Sequence, residues 1–526
     1  MYPISPKSAA RRAHPGAARR LRFLLDSPAS GRRRRLRGLA PALMLLLAGC
    51  AAVGPDYVPP RPELPAAWAQ GAAVASASPE ASGASGASGA SAGEGAAGAG
   101  EGPGASAAVH ASGLRAWWSL FRDPLLDALV DETLARSPDL RAAAARLDQA
   151  RAQRGIAQAG LLPSASARAG ARESAARGGD STASYSLGVD ASWEIDLFGG
   201  LRRAVEAADA DLQASAASLG SVQASLAAET ALAYLEVRLL QARLDVAARN
   251  LASQEETLQL TGWRAQAGLV GSLDVEQARA GVEQVRAQLP ALRSALGQAR
   301  HRLSVLTGQP PAALDDRLSS VAPIPAAPVF AALAIPAEVL AQRPDVHAAE
   351  RALAAETARV GQAEAARYPG LSLGGSIGLE ALTLGGLTAG GATVRSIAAN
   401  LAATVFDGGR LRRQVEIRSA VQAQALASYE STVLAALEEV ENALLAVRSA
   451  RERQVALAAA AEAARNAALL ARQRYASGLI DFQAVLDSAR TVLSAEDSLV
   501  SGESEAATSM VRLYKALGGG WTAAQQ

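Results

Sequence analysis

Two stretches of 67 residues without proline, 201–267 and 411–477, constrain the fold of this 526-residue chain more than any other feature. At about 1.5 Å of rise per residue, each stretch would form roughly 100 Å of α-helix. Each is followed by a glycine, Gly268 or Gly478, which is typical of a helix end where the chain turns back. Helices of this length do not fit an ordinary compact domain, so we predict two long rods.

The chain also contains two copies of one unit of about 200 residues, longer than a solenoid repeat. The segments RSPDL and LLPSASA recur 206 residues later as QRPDV and RYPGLSL, and RAQAGLVG recurs 210 residues later as RYASGLID. The segment LFGGLRRAVE has its counterpart in VFDGGRLRRQVE. We therefore predict two repeats, 114–322 and 323–526, each with a short helix (345–366 in the second), two strands, a long helix and a return helix.

The return helices, predicted over 272–307 and 481–517, are expected to pack as coiled coils. In the first copy apolar residues alternate in steps of three and four, the 3.5-residue period of left-handed supercoils. This stripe consists of Val275, Ala278, Val282, Val285, Leu289, Leu292, Leu296, Ala299, Leu303 and Leu306. Single amphipathic helices on a globular core are the alternative, and their stripe would drift toward a period of 3.6. Pro290 is expected to kink the helix or mark a change in packing.

Four further segments alternate with a period of two, which predicts strands with one apolar and one polar face. They are 163–175, 185–199, 369–382 and 395–407. Their length and pattern are those of strands in a membrane β-barrel. The polar face carries Asp190, Glu194 and Asp196, which we predict to face water in a lumen. A β-sandwich layer with one wetted face is the alternative.

Four strands cannot stand alone in lipid, because both edges of the sheet would leave backbone groups without partners. Two copies of the chain would form an eight-stranded barrel filled by side chains, whereas three copies leave room for a lumen. We therefore predict a mainly α-helical homotrimer with a 12-stranded barrel, four strands from each chain, continued by a long antiparallel helical tunnel.

The amino-terminal region predicts export and lipid attachment. Residues 1–49 combine an arginine-rich start with a short apolar run, as in a signal peptide. LAGC, ending at Cys50, resembles the bacterial lipoprotein signal, in which that cysteine receives a covalent lipid. A stray buried cysteine is the alternative. Residues 50–70 would then be a lipid-anchored segment, and the Gly/Ala/Ser-rich residues 71–113 a disordered tether.

Charge and composition exclude several functions. Residues 1–49 carry a net charge of +10, which leaves −8 for the remainder, so general attraction to nucleic acid is not expected. The cysteine at position 50 is the only one, which excludes an intramolecular disulfide. The four histidines have no metal-ligand spacing, and no catalytic or cofactor motif is evident.

Several motifs together resemble the TolC-like outer-membrane efflux proteins, in particular their NodT-type lipoprotein branch. They are LAGCAAVGPDYVPP, WWSLFRDPLLDALV, ARSPDL with AQRPDV, AGLVGSLDVEQARA, RYASGLIDFQAVLDSARTVLSAE and RLYKALGGGW. The resemblance implies a passive trimeric exit duct for drugs, small solutes or metal ions. Its partners would be outer-membrane lipid, a periplasmic adaptor and an inner-membrane pump, and it would be neither an enzyme nor a cofactor protein beyond the lipid on Cys50.

The resemblance also implies roles for particular residues. Asp487, with Arg490, matches the lining of a closed periplasmic gate, and Asp274 is expected at the equivalent place in the first copy. The alternatives are a solvated helix face for Asp487 and a helix cap for Asp274. The tips that would meet the adaptor are Gly268 with Leu269 and Gly478 with Leu479.

Two other functions remain open at this stage. A type I protein-secretion duct would share the fold and differ in its pump. A lipid-anchored periplasmic coiled-coil scaffold would not span the membrane at all. Trp117 and Trp118 are predicted to anchor packing rather than to stack on a ligand.

Overall fold

The computed structural model describes residues 52–61, 68, 115–175, 181–328, 340, 342–389 and 392–521. Cys50, the predicted signal peptide and the predicted tether lie outside these residues. In chain order the main elements are α1 (Pro124–Arg136), α2 (Pro138–Ala159), β1 (Ser164–Ala175), β2 (Ser181–Ile195), α3 (Gly200–Gln266), α4 (Ser272–Leu306), α5 (Pro344–Ala365), β3 (Gly370–Ala381), β4 (Ala392–Ala402), α6 (Arg410–Ala476) and α7 (Phe482–Ala516).

The two long helices, α3 and α6, each contain 67 residues. Each follows a glycine with positive φ, Gly199 at 81° and Gly409 at 88°. This left-handed backbone conformation favours glycine and lets the chain turn sharply from a strand into a helix.

The predicted stripe of the first return helix is confirmed by burial. Its residues Ala278, Val282, Val285, Leu289, Leu296, Ala299 and Leu303 are all buried within α4. The helix continues through Pro290 from Ser272 to Leu306. In the second copy Val433, Val440, Leu444 and Val447 are buried with the same spacing on α6.

The four strands form one antiparallel sheet in the order β1-β2-β3-β4. Val189 of β2 lies opposite Ala167 of β1 and Ile377 of β3. Trp193 lies opposite Leu373. Because residues directly opposite each other share a face, the register gathers the predicted apolar positions on one side of the sheet.

Two strands end earlier than the alternation predicts. β2 covers Ser181–Ile195 rather than 185–199, and β4 covers Ala392–Ala402 rather than 395–407. Phe198 leaves the sheet to stack on Tyr368, with ring centroids 4.7 Å apart. Asp407 accepts hydrogen bonds from the backbone N–H groups of Gly409 and Leu411, both at 2.8 Å. These contacts direct both segments into the long helices.

The main core lies where α1, α3, α4, α6 and α7 meet. Trp117 is fully buried there and stacks on Tyr514, with ring centroids 5.5 Å apart. Trp118 packs edge-on against Trp117 at 5.8 Å. Both tryptophans therefore anchor packing, as predicted. Among the helices of the described ranges, none has the length and apolarity needed to cross a bilayer.

Candidate functional site

One face of the sheet exposes large apolar side chains in the single chain. Leu187, Val189, Trp193, Ile377, Ile397 and Leu401 are all exposed. The indole N–H of Trp193 donates a hydrogen bond of 3.0 Å to the carbonyl oxygen of Leu161, just before β1. Tryptophan with one apolar and one hydrogen-bonded end is typical of a membrane interface.

The opposite face is polar and built of small residues. The hydroxyls of Ser164 and Ser192 lie 2.9 Å apart, and the carboxylate of Asp190 accepts a hydrogen bond of 2.9 Å from Arg168. Glu194 shares this face, opposite Ser372. Asp190 and Glu194 therefore lie on the face predicted for them.

Asp196 has a different place, so its predicted position within a strand is wrong. It follows the last residue of β2, and its carboxylate accepts hydrogen bonds from the Arg202 backbone N–H at 2.9 Å and from Arg202 Nε at 3.2 Å. The residue that the period of two assigned to a polar face instead fixes the start of α3.

The two predicted tips have the same backbone structure. Gly268 and Gly478 have φ of 72° and 73°. The Leu269 N–H donates to the Arg264 carbonyl at 2.8 Å, and the Leu479 N–H donates to the Arg474 carbonyl at 2.9 Å. This is the Schellman end of a helix. Leu269 and Leu479 are 68% and 74% exposed, so two apolar side chains stand at the end of the rods.

The helices next to these tips pack through a small cluster of their own. Ala278 of α4 is buried in one hydrophobic cluster with Phe482, Val485 and Leu486 at the start of α7. Arg264 donates to the Tyr475 carbonyl at 2.8 Å. These contacts hold the two tips of one chain together.

The predicted gate residues on α7 form a local charged pair. Asp487 accepts a hydrogen bond of 3.0 Å from Gln483, and its carboxylate lies 3.7 Å from Arg490. The side chains of Asp487 and Arg490 are 60% and 62% exposed. Within one chain they therefore face open space, and such a pair contributes little to stability.

Asp274 does not occupy the position equivalent to Asp487, contrary to the prediction. It is the third residue of α4, in the first turn. Asp487 is the sixth residue of α7, nearly one turn later. Gly271 is the N-cap residue of α4 and makes no side-chain cap, whereas Asp481 caps α7 by accepting a hydrogen bond of 3.0 Å from the Ala484 N–H.

A clasp formed by residues 53–57 is the main site that sequence reasoning missed. The Val53 N–H donates to the Phe198 carbonyl at 3.0 Å. Arg203, nearly buried, donates to Asp56 at 2.7 Å and to the Val53 carbonyl at 3.3 Å. The Tyr57 hydroxyl donates to Glu350 at 2.7 Å. The motif VGPDY marked this segment without indicating its partners.

The clasp requires close backbone approach at one glycine. Gly54 has φ of 99°, and a Cβ there would lie 2.3 Å from the Cα of Gly361 on α5. A larger residue at either position would separate the clasp from α5.

The sequence of this chain matches a known family and its members. A family model described as outer membrane efflux protein matches residues 129–309 and 335–519. The chain is 32% identical over 490 residues to the toluene efflux pump outer membrane protein TtgF of Pseudomonas putida, covering 92% of this chain and 96% of that protein. It is 30% identical over 494 residues to nodulation protein T of Rhizobium leguminosarum bv. trifolii, covering 92% and 97%.

A solved structure shares the fold. The outer-membrane channel OprN superposes with a TM-score of 0.74 at 39% sequence identity, covering 77% of this chain and 93% of that chain.

Proposed function

This chain belongs to the outer membrane efflux protein family, and from that membership we propose that three copies join edge to edge into the exit duct of a tripartite efflux system. The family and the NodT relationship predicted from the motifs are confirmed. The chain is therefore an outer-membrane efflux channel protein with long periplasmic helices, and it is not an enzyme.

The observation that carries the trimer proposal is the pair of open sheet edges. β1 and β4 each have a hydrogen-bonded neighbour on one side only. One of the two faces of the sheet exposes large apolar side chains. In lipid, the unpaired backbone groups of both edges need partners. Other copies of the same sheet satisfy both edges at once if they close into a ring.

The polar face supports three copies rather than two. Two copies would give eight strands, whose interior is filled by side chains, whereas three copies give twelve and leave a lumen. The small residues and the Arg168–Asp190 pair on this face suit a water-filled interior.

A lipid on Cys50 fits the position of the clasp. Ala52 lies against Gly199 where β2 leads into α3, which is the foot of the sheet. Two residues of chain span at most about 7 Å. A lipid on Cys50 would therefore enter the bilayer beside the base of the barrel.

The exposed tips, at the ends of the long helices away from the sheet, support an adaptor contact there. Gly268 with Leu269 and Gly478 with Leu479 would meet a periplasmic adaptor, which in turn binds an inner-membrane pump. The name of one relative specifies toluene efflux, and we accordingly propose that the duct exports small organic solutes. Metal ions are the second candidate class of exported substrate.

The first experiment tests the trimer and the channel together. Purified protein in detergent should be a heat-modifiable trimer and should conduct ions in planar bilayers. Trp193 and Leu373, changed separately to cysteine, should be labelled by lipid-phase probes, whereas Ser376 changed to cysteine should react only with water-soluble reagents. A monomer, or a lack of lipid-phase labelling at Trp193 and Leu373, would contradict the proposal.

A further inference from the structure

Two opposite charges lie on the apolar face of the sheet, one at each open edge. Glu173 is on β1 and Arg395 is on β4. Glu173 lies opposite Ala183, and Arg395 lies opposite Ile377. Both are exposed, and neither forms an ion pair with any residue in the described ranges. Within one chain β2 and β3 separate them by about 14 Å.

The two charges also lie near the same end of the sheet. Glu173 is two residues before the end of β1, and Arg395 is three residues after the start of β4. At about 3.3 Å per residue, both are within about 10 Å of the hairpin end of the sheet. A charge facing lipid is tolerated best at that depth, close to the membrane surface.

The internal repeat supplies a template for the seam between neighbouring copies. LLP recurs 206 residues later as RYP, and LF recurs 208 residues later as VF. The junction of β2 with β3 inside the chain is thus the counterpart of the junction of β4 with β1 of the next copy. Leu187 lies opposite Leu379 in the first junction. With the shift of 208 residues Leu187 corresponds to Arg395, and with the shift of 206 residues Leu379 corresponds to Glu173.

A small slip in register preserves the contact. In the first hairpin Ser164 lies opposite Ser192. Its counterpart Gly370 lies opposite Ala402, two residues beyond the counterpart of Ser192, so the strand register differs by two residues between the hairpins. A slip of two residues at the seam would leave Glu173 and Arg395 as diagonal neighbours on the same face. Long side chains still reach each other across a diagonal.

A second pair at the foot of the seam fits the same template. Phe198 stacks on Tyr368 inside the chain. Their counterparts are Phe406 and Leu162, which are 90% and 67% exposed. Both are large apolar side chains without cover in the single chain, as expected if Phe406 of one copy packs on Leu162 of the next.

We propose that Glu173 of one copy and Arg395 of the next form an ion pair on the lipid-facing side of each seam of the trimer. This inference rests on the proposed trimer. The pair would align neighbouring sheets near the outer surface, while Phe406 and Leu162 would align them at the foot.

Disulfide cross-linking tests the proximity. The chain has no cysteine other than Cys50, whose sulfur would carry the proposed lipid, so the introduced thiols report their own contacts. Glu173→Cys with Arg395→Cys should give covalent oligomers on oxidation, including when the two substitutions are carried by separate co-expressed chains. Glu173→Cys with Ala399→Cys, on the same face but about 13 Å further along β4, is the matched control. Cross-linking that is no stronger for Arg395 than for Ala399 would overturn the proposal.

Charge exchange tests the ion pair itself. Glu173→Arg and Arg395→Glu should each lower the temperature at which the trimer dissociates in SDS, and the double exchange should restore most of the loss. If Arg395 instead binds a lipid phosphate, Arg395→Glu would weaken the trimer regardless of residue 173, and the absence of rescue would overturn the proposal.

The oligomeric state of the wild-type protein distinguishes failure of the proposed ion pair from failure of the proposed trimer. A trimeric, conducting wild type without cross-linking or rescue would reject only the ion pair. A monomeric wild type would reject the proposed trimer as well.

Discussion

Arg343 shows how one side chain can hold distant elements together. It is the N-cap residue of α5 and is 7% exposed. It donates to Asp345 at 2.8 and 3.0 Å, to Glu439 of α6 at 2.7 Å and to the Ala516 carbonyl at the end of α7 at 2.5 Å. The repeated motif contained this arginine, but its counterpart in the first copy is Ser137, so the repeat gave no sign of the role.

Removing this guanidinium should weaken the junction of three helices. Arg343→Gln leaves the carboxylates of Asp345 and Glu439 without their charged donor, and we expect a loss of about 2–3 kcal/mol in the free energy of unfolding. Chemical denaturation of the detergent-solubilised protein measures this loss. Arg351→Gln, next to the clasp on the same helix, serves as the control. Arg351 donates to Glu350 and Gln213 and lies over the Tyr57 ring, but its side chain is 22% exposed against 9% for Arg343, so its loss should cost less.

The same junction should depend on pH. Burial opposes ionisation of Asp345, but the hydrogen bonds and charge of Arg343 outweigh it and lower the pKa of that carboxyl below its usual 3.8. A carboxyl with a depressed pKa stabilises the fold fully above its unfolded-state pKa and loses that contribution as pH falls through the folded-state value. Wild type should therefore lose more stability than Asp345→Asn below about pH 4. Equal losses would contradict this assignment.

At the scale of the element, each long helix ends in the same left-handed glycine. A Cβ at Gly268 or Gly478 would meet no atom within 4 Å, so substitution there acts through the backbone alone. The cost of left-handed backbone for a residue with a Cβ is about 1–2 kcal/mol, and asparagine tolerates it better than a branched residue does.

We therefore expect Gly478→Val to open the second tip while leaving the trimer intact. The readouts are faster protease cleavage near residue 478 and reduced efflux in cells that carry the pump and adaptor. Gly478→Asn is the control at the same position and should retain most of the activity. Equal activity of Val and Asn variants would argue against a role for tip geometry in adaptor contact.

At the scale of the whole molecule, the proposed gate depends on the assembly rather than on one chain. Asp487 and Arg490 face open space in the single chain. Around a threefold axis, three such carboxylates would converge, and like charges at close range repel. Arg490 of the same or a neighbouring copy would then decide whether the mouth stays closed.

Asp487→Ala should therefore open the periplasmic mouth, with higher single-channel conductance and greater permeability to antibiotics. Glu276→Ala is the matched control, because Glu276 lies 3.9 Å from Arg279 in an equally exposed pair on the first return helix. Unchanged conductance in Asp487→Ala would contradict the gate assignment.

The sequence by itself determined the repeats, the two 67-residue helices, the coiled-coil stripes and the alternating faces of the strands. These features follow from the periodicity of each segment and from the placement of glycine and proline, which act over a few neighbouring residues. The same local reading placed strand ends too far along the chain, because alternation continues into residues that Phe198 and Asp407 divert toward the helices.

Only the tertiary structure decided the clasp and the Arg343 junction. Arg203 binds Asp56 across 147 residues of sequence, and Arg343 binds the Ala516 carbonyl across 173. Such contacts depend on how complete helices pack, and a local pattern carries no information on which distant surface will meet it. The fold places these partners together because helices of fixed length lie side by side against one core.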